Sequence, residues 1–164
     1  HLDAGDQDWL HWEVGWRGKR FNLGAEDVSG EIEDVPQPGG GTQSYDQLGS
    51  WAAYLTIALR GEAAIWRRGR WEPALPDDAE ELPIELSLRY SNADIDRDLF
   101  DSPLTKPNAS TQEVRTFSAA LGTWLDDSSR LTFQWVNLIA DHEINTFGGD
   151  NRDQSYVVRW DKRF

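Results

Sequence analysis

Apolar and polar side chains alternate with a period of two along most of this chain, which confines it to β-strands. A helix needs apolar residues three or four apart, whereas a strand sends successive side chains to opposite faces. Seven segments carry the alternation. In Trp9–Arg17, Leu10, Trp12, Val14 and Trp16 share one face, and His11, Glu13 and Arg17 share the other. Phe21, Leu23 and Ala25 alternate with Asn22, Gly24 and Glu26 within 20–28. Ser50–Arg60 sets Trp51, Ala53, Leu55, Ile57 and Leu59 against Tyr54, Thr56 and Arg60. Ile84, Leu86, Leu88 and Tyr90 oppose Glu85, Ser87 and Arg89; Phe117, Ala119 and Leu121 oppose Ser118, Ala120 and Gly122. Leu131, Phe133 and Trp135 oppose Thr132 and Gln134. Last, Tyr156, Val158 and Trp160 oppose Ser155, Arg159, Asp161 and Arg163, and the sequence stops on Phe164.

Two architectures share this pattern. A soluble β-barrel or sandwich turns its apolar face inward and binds a ligand there. A transmembrane barrel turns that face out to lipid and lines a wet lumen with charge. The connections favour the membrane. Gly18-Lys19 and the stretch 126–129 are tight, whereas 29–49, 92–111 and 141–154 are long, polar and rich in Gly, Pro, Asp and Asn. Short turns at one end and long loops at the other are the two ends of an outer-membrane barrel. The connection 62–83 breaks that rule by being long on the short-turn side.

Composition narrows the partners. With 29 acidic and 16 basic residues the net charge is −13, which argues against nucleic acid. Cys is absent, so neither disulfides nor thiolate metal sites are available. No run of about 20 apolar residues exists to cross a bilayer as a helix. Nine Trp in so polar a chain suit the aromatic girdles of a membrane interface. Met is also absent, so His1 is expected to follow a cleavage or an earlier stretch of chain.

Several stretches then resemble one family, the phosphate-selective porin O/P group of outer-membrane porins. Ser50 to Glu62 looks like that family's strand running into its Gly-Glu turn. Trp66 to Trp71, followed by Pro73 and Pro76, resembles its long periplasmic connection. Ile84 to Ser91 is similar to its Glu-Leu-x-x-Arg-Tyr-Ser strand, and Leu121 to Leu131 to one of its hairpins. The final strand to Phe164 matches the ending by which the outer-membrane assembly machinery recognises a barrel.

The resemblance implies an all-β fold, an antiparallel transmembrane β-barrel of about 16 strands, about seven of them in 1–164. The chain is then the C-terminal portion of one barrel domain, with about nine strands expected before His1. The family also implies a homotrimer in the bacterial outer membrane, in contact with its lipid. It passes small solutes or anions, phosphate among them, by diffusion, with no enzymatic step and no cofactor.

The expected pore-lining residues are Arg17, Arg60, Glu85, Arg89, Arg159 and Arg163. The expected girdle is Trp9, Trp16, Trp51, Trp135, Tyr156, Trp160 and Phe164. Glu85 and Arg89 stand about 13 Å apart along a strand, so each is expected to pair across strands instead. Asp141, Asp150, Asn151 and Asp153 match no calcium loop and are expected to be solvated. An N-terminal His can bind copper, with His11 or His142 as further ligand, as in polysaccharide oxygenases. No other segment resembles that family. Arg67, Arg68 and Arg70 are expected in a solvated connection, and Asn108-Ala109-Ser110 is a sequon by pattern only.

Overall fold

A computed structural model of the chain describes residues 7–36, 39–67, 70–72, 82–101, 111–144 and 150–162. The strands are β1 (Gln7–Arg17), β2 (Phe21–Pro36), β3 (Thr42–Arg60), β4 (Ile65–Arg67), β5 (Arg70–Glu72), β6 (Ile84–Ile95), β7 (Glu113–Trp124), β8 (Ser129–Ile144) and β9 (Asp150–Lys162). A single helical turn, α1 (Arg97–Phe100), follows β6. Seven strands form one sheet in the order β1-β2-β3-β6-β7-β8-β9, and β4 and β5 pair separately. Every neighbouring pair is antiparallel. The fold is therefore all-β, a meander interrupted only by the β4–β5 hairpin between β3 and β6. The sheet is open: β1 and β9 stand at its two ends.

Register explains why the alternation survives across the whole sheet. Trp16 pairs with Leu23, and the same row continues through Leu55, Leu88, Ala119 and Trp135 to Tyr156. A slip of one residue at any ladder would throw the apolar set of that strand to the other side. None occurs within this row. One face is thus apolar from β1 to β9, and the other carries the ionic residues.

The row is also oblique to the strand ends. Trp16 lies one residue before the end of β1, whereas Tyr156 lies six before the end of β9. That is a stagger of five residues over six strand-to-strand steps. At a rise of about 3.3 Å and a strand spacing of about 4.8 Å, the strands tilt by about 30°. Closing a sheet into a barrel calls for a tilt of about 35–45°.

Burial gives the direction of curvature. Asn22, Ala52, Ala58, Glu85, Ser118, Trp124, Thr132 and Ala140 are all buried, and the register puts every one on the ionic face. Leu23, Trp51, Phe133 and Trp160, on the apolar face, are exposed. In a single layer, side chains crowd together on the concave side and splay apart on the convex side. The ionic face is the concave one. No second layer covers the apolar face among the described residues.

The structure corrects the expected loops. β2 and β3 run far into the segment 29–49, to Pro36 and from Thr42, with register shifts after Gly30 and Ile32. β6 continues to Ile95, β8 reaches Ile144 and β9 begins at Asp150. The ladders therefore outrun the apolar pattern. Backbone hydrogen bonds hold a strand together wherever its side chains point, so alternation marks only the part with one apolar face. The connection 62–83 likewise contains the small β4–β5 hairpin, which no periodicity announced.

Candidate functional site

The concave face encloses a cavity of about 670 Å³ bordered by residues of all seven strands of the main sheet. Glu85 and Arg89 each pair across strands, as their spacing required. Arg89 Nη2 donates to Glu26 Oε1 at 2.5 Å, reaching over β3 to β2. Arg130 Nη2 donates to Glu85 Oε2 at 3.0 Å, reaching over β7 from β8 to β6. Arg159 Nε donates to Asp161 on its own strand at 2.9 Å. Arg17 is exposed and has no ionic partner among the described residues.

Glu85 is the most enclosed of these groups, at 1 % exposure. A buried carboxylate is costly unless hydrogen bonds and an opposite charge compensate it. Here Arg130 supplies the charge, and its guanidinium also lies 5.4 Å from the Trp124 ring centroid. The second oxygen of Glu85 accepts the Ala64 N–H at 2.5 Å. Ala64 belongs to a short strap that leaves β3 at Gly61. There a φ of +79° turns the chain inward, a conformation that glycine adopts without penalty. Asn22 Nδ2 donates to the Ala64 carbonyl at 3.0 Å, and the Ala63 N–H donates to the Lys19 carbonyl at 3.0 Å. The strap is thereby fastened over the concave face near the short turns.

No protein-family model matches the chain, and no curated protein matches it either.

Of the residues expected to line a pore, Arg17, Glu85, Arg89 and Arg159 all border the cavity. Arg60 does not. A bulge between Ala58 and Arg60 inserts one residue and sets Arg60 opposite Ile84, beside a groove shared with Leu82, Leu121 and Leu131. An inserted residue reverses the parity of everything after it. Arg163 lies outside the described residues. Sequence reasoning missed Arg130, Asn22 and Tyr54, which border the same cavity. Arg130 was within reach, because it continues the Thr132 and Gln134 parity one step toward the turn.

The aromatic residues sort by face and height. Trp51, Trp135 and Tyr156 lie on the convex face together with Tyr90 and Phe117, which the expected girdle omitted. Measured to the short-turn end of its strand, each stands six to nine residues away. They form a level row parallel to the turns, with ring centroids 5.4 Å apart for Trp51 and Tyr90 and 5.7 Å for Phe117 and Trp135. Trp16, whose ring centroid lies 4.6 Å from that of Phe21 at a tilt of 51°, and Trp160 stand near the turns themselves. Trp9 departs from the expectation. Its parity puts it on the concave face, where its ring lies over Gly30. Phe164 lies outside the described residues.

Among the described residues no group of His, Cys, Asp and Glu could hold an ion. His1 and the side chain of His142 lie outside the described residues, as does Asn108. His11 is exposed. Asp141 accepts a hydrogen bond from the Thr111 hydroxyl, and Asp150 from the Asn151 N–H. No described helix is long and apolar enough to cross a membrane.

Proposed function

We propose that this chain forms part of a porin in a bacterial outer membrane, its concave face lining a water-filled channel for passive diffusion of small solutes. One observation carries the reading: large apolar side chains stand exposed on the convex face while ionic ones gather on the concave face. Leu23, Trp51, Phe117, Phe133, Val158 and Trp160 leave an apolar surface running across the sheet. In water such surface is unfavourable by about 25 cal/mol per Å², and contiguous patches above a few hundred Å² mark an interaction site. Hydrocarbon removes that cost. From Trp51 to Leu59 the band runs about 26 Å along β3, which suits a bilayer crossed by tilted strands.

The level row of Trp51, Tyr90, Phe117, Trp135 and Tyr156 takes the part of one aromatic girdle in this reading. The exposed lengths of β1 and β9 call for further strands to close the barrel, since an unpaired edge of 11 to 13 residues invites aggregation. The resemblance to the phosphate-selective porin O/P family adds a homotrimer and a route for anions. In the lining, Arg17, Arg89, Arg130 and Arg159 meet Glu13, Glu26, Glu85 and Asp161, so this portion is polar and close to neutral. Transport needs no catalytic group; pore width and lining charge set the preference.

The test is extraction followed by reconstitution. The full-length protein is expected in the detergent-extracted outer membrane, with different gel mobility boiled and unboiled, and with stepwise conductance in planar lipid bilayers. A protein that stays soluble without detergent, migrates identically either way and gives no conductance is a soluble β-protein instead.

A further inference from the structure

We infer that Arg130 is a selectivity-determining residue at the short-turn mouth of the channel, and that Glu85 is the positioning residue holding it and the strap Gly61–Ala64 in place. The inference rests on the porin reading. Three observations converge on it. Glu85 is buried yet uses both carboxylate oxygens, one on Arg130 and one on the Ala64 N–H, so one side chain fixes both a charge and a backbone segment. On the neighbouring strand, diagonal to Arg130, Gly122 leaves room for the guanidinium to lie flat on the sheet: a Cβ there would stand 2.9 Å from Nη2. Around the cluster, Asn22 Oδ1, Arg130 Nε and Thr132 Oγ1 are buried with no hydrogen-bond partner among the described residues.

The last point separates this cluster from ordinary packing. Native interiors pair nearly all of their buried polar groups, because each orphan forfeits its hydrogen bonds to water. A cluster selected for stability alone would replace the Glu85–Arg130 pair by apolar side chains of similar volume, often at no loss. What the pair supplies is a cation fixed at one height on the lining, with its charge balanced from behind. The strap narrows the same mouth from the β3 side, and Glu85 ties the two together. Solutes leaving by that end pass over this joined cluster.

The test uses the full-length protein in planar bilayers, with band shift on unboiled gels to verify folding. Glu85→Gln keeps an acceptor for Ala64 and removes the counter-charge of Arg130. Its conductance at high salt is expected to stay as in the parent, while the anion-to-cation permeability ratio at low salt rises about twofold or more. Gly122→Ala lifts the guanidinium off the sheet into the lumen without changing any charge, and is expected to lower conductance. A Glu85→Gln barrel that fails to fold leaves Gly122→Ala to decide. If the folded variants conduct and select like the parent, Glu85 is structural and the inference falls. A parent protein with no conductance at all instead removes the porin reading beneath it.

Discussion

Tyr54 lies over Gly24 on the neighbouring strand, and its hydroxyl donates to Glu13 Oε1, one strand further on, at 3.0 Å. The ring occupies the space a side chain at Gly24 would fill, since a Cβ built there stands 2.3 Å from it. Three strands are clasped by one phenol on the concave face.

Gly24→Ala is therefore expected to destabilise the protein by about 1–3 kcal/mol, because the tyrosine must leave its seat. Tyr54→Phe, which loses only an exposed hydrogen bond, is expected to cost no more than about 1 kcal/mol. Urea unfolding of the protein in lipid vesicles measures both. In a Tyr54→Ala background the Gly24→Ala penalty should shrink, and an undiminished penalty would place the strain elsewhere.

Leu121 offers the sharpest separation of membrane from water. It stands about half-exposed on the convex face, at 48 %. Facing water, Leu121→Arg would change stability by no more than about 0.5 kcal/mol, as surface substitutions do. Facing the middle of a bilayer, it should cost about 2–4 kcal/mol. We expect the larger value in vesicles, with Leu121→Ala costing clearly less. Equal, small effects of the two substitutions would mean that this face meets water.

Much of this architecture was legible because a half-apolar strand writes its two faces directly into sequence. The rows of Leu10 to Trp16 and Ile84 to Tyr90 could be assigned without coordinates, and so could the cross-strand pairing of Glu85 and Arg89. What stayed hidden depends on partners. Arg60 changed sides because a bulge follows from how β3 and β6 fit, and no residue type announces it. Trp9 fits the girdle only by residue type, and its odd position puts it on the face of Glu13. The strap on Glu85 joins residues 21 apart in sequence, and only folding brings them together.

Arg89 provides a test of the lining away from the short-turn mouth. Its ion pair with Glu26 is half-exposed, with 52 % of the arginine side chain accessible, so removing it should cost at most about 1 kcal/mol. Arg89→Leu leaves Glu26 uncompensated in the cavity. We expect normal assembly and a reversal potential shifted toward cation preference in a salt gradient. An unchanged reversal potential, with conductance intact, would take Arg89 off the conduction path.

The β7–β8 turn carries a pH signature of its own. The Ser128 hydroxyl donates to Asp126 Oδ1 at 2.8 Å, and the Ser128 N–H reaches the same oxygen at 2.7 Å. Both favour the ionised carboxylate, the hydroxyl foremost, and lower its pKa to about 2. A carboxyl whose pKa is lower folded than unfolded stabilises the fold above its ordinary range, near 4, and loses that contribution as pH falls toward 2. The turn should thus hold its shape at pH 4 and loosen only near pH 2. Ser128→Ala removes the larger cause, so the Asp126 midpoint should climb toward the ordinary value. Carboxyl-carbon NMR titration of the detergent-solubilised protein reads this directly. A midpoint near 4 in the parent protein would show that the serine does not hold the carboxylate in solution.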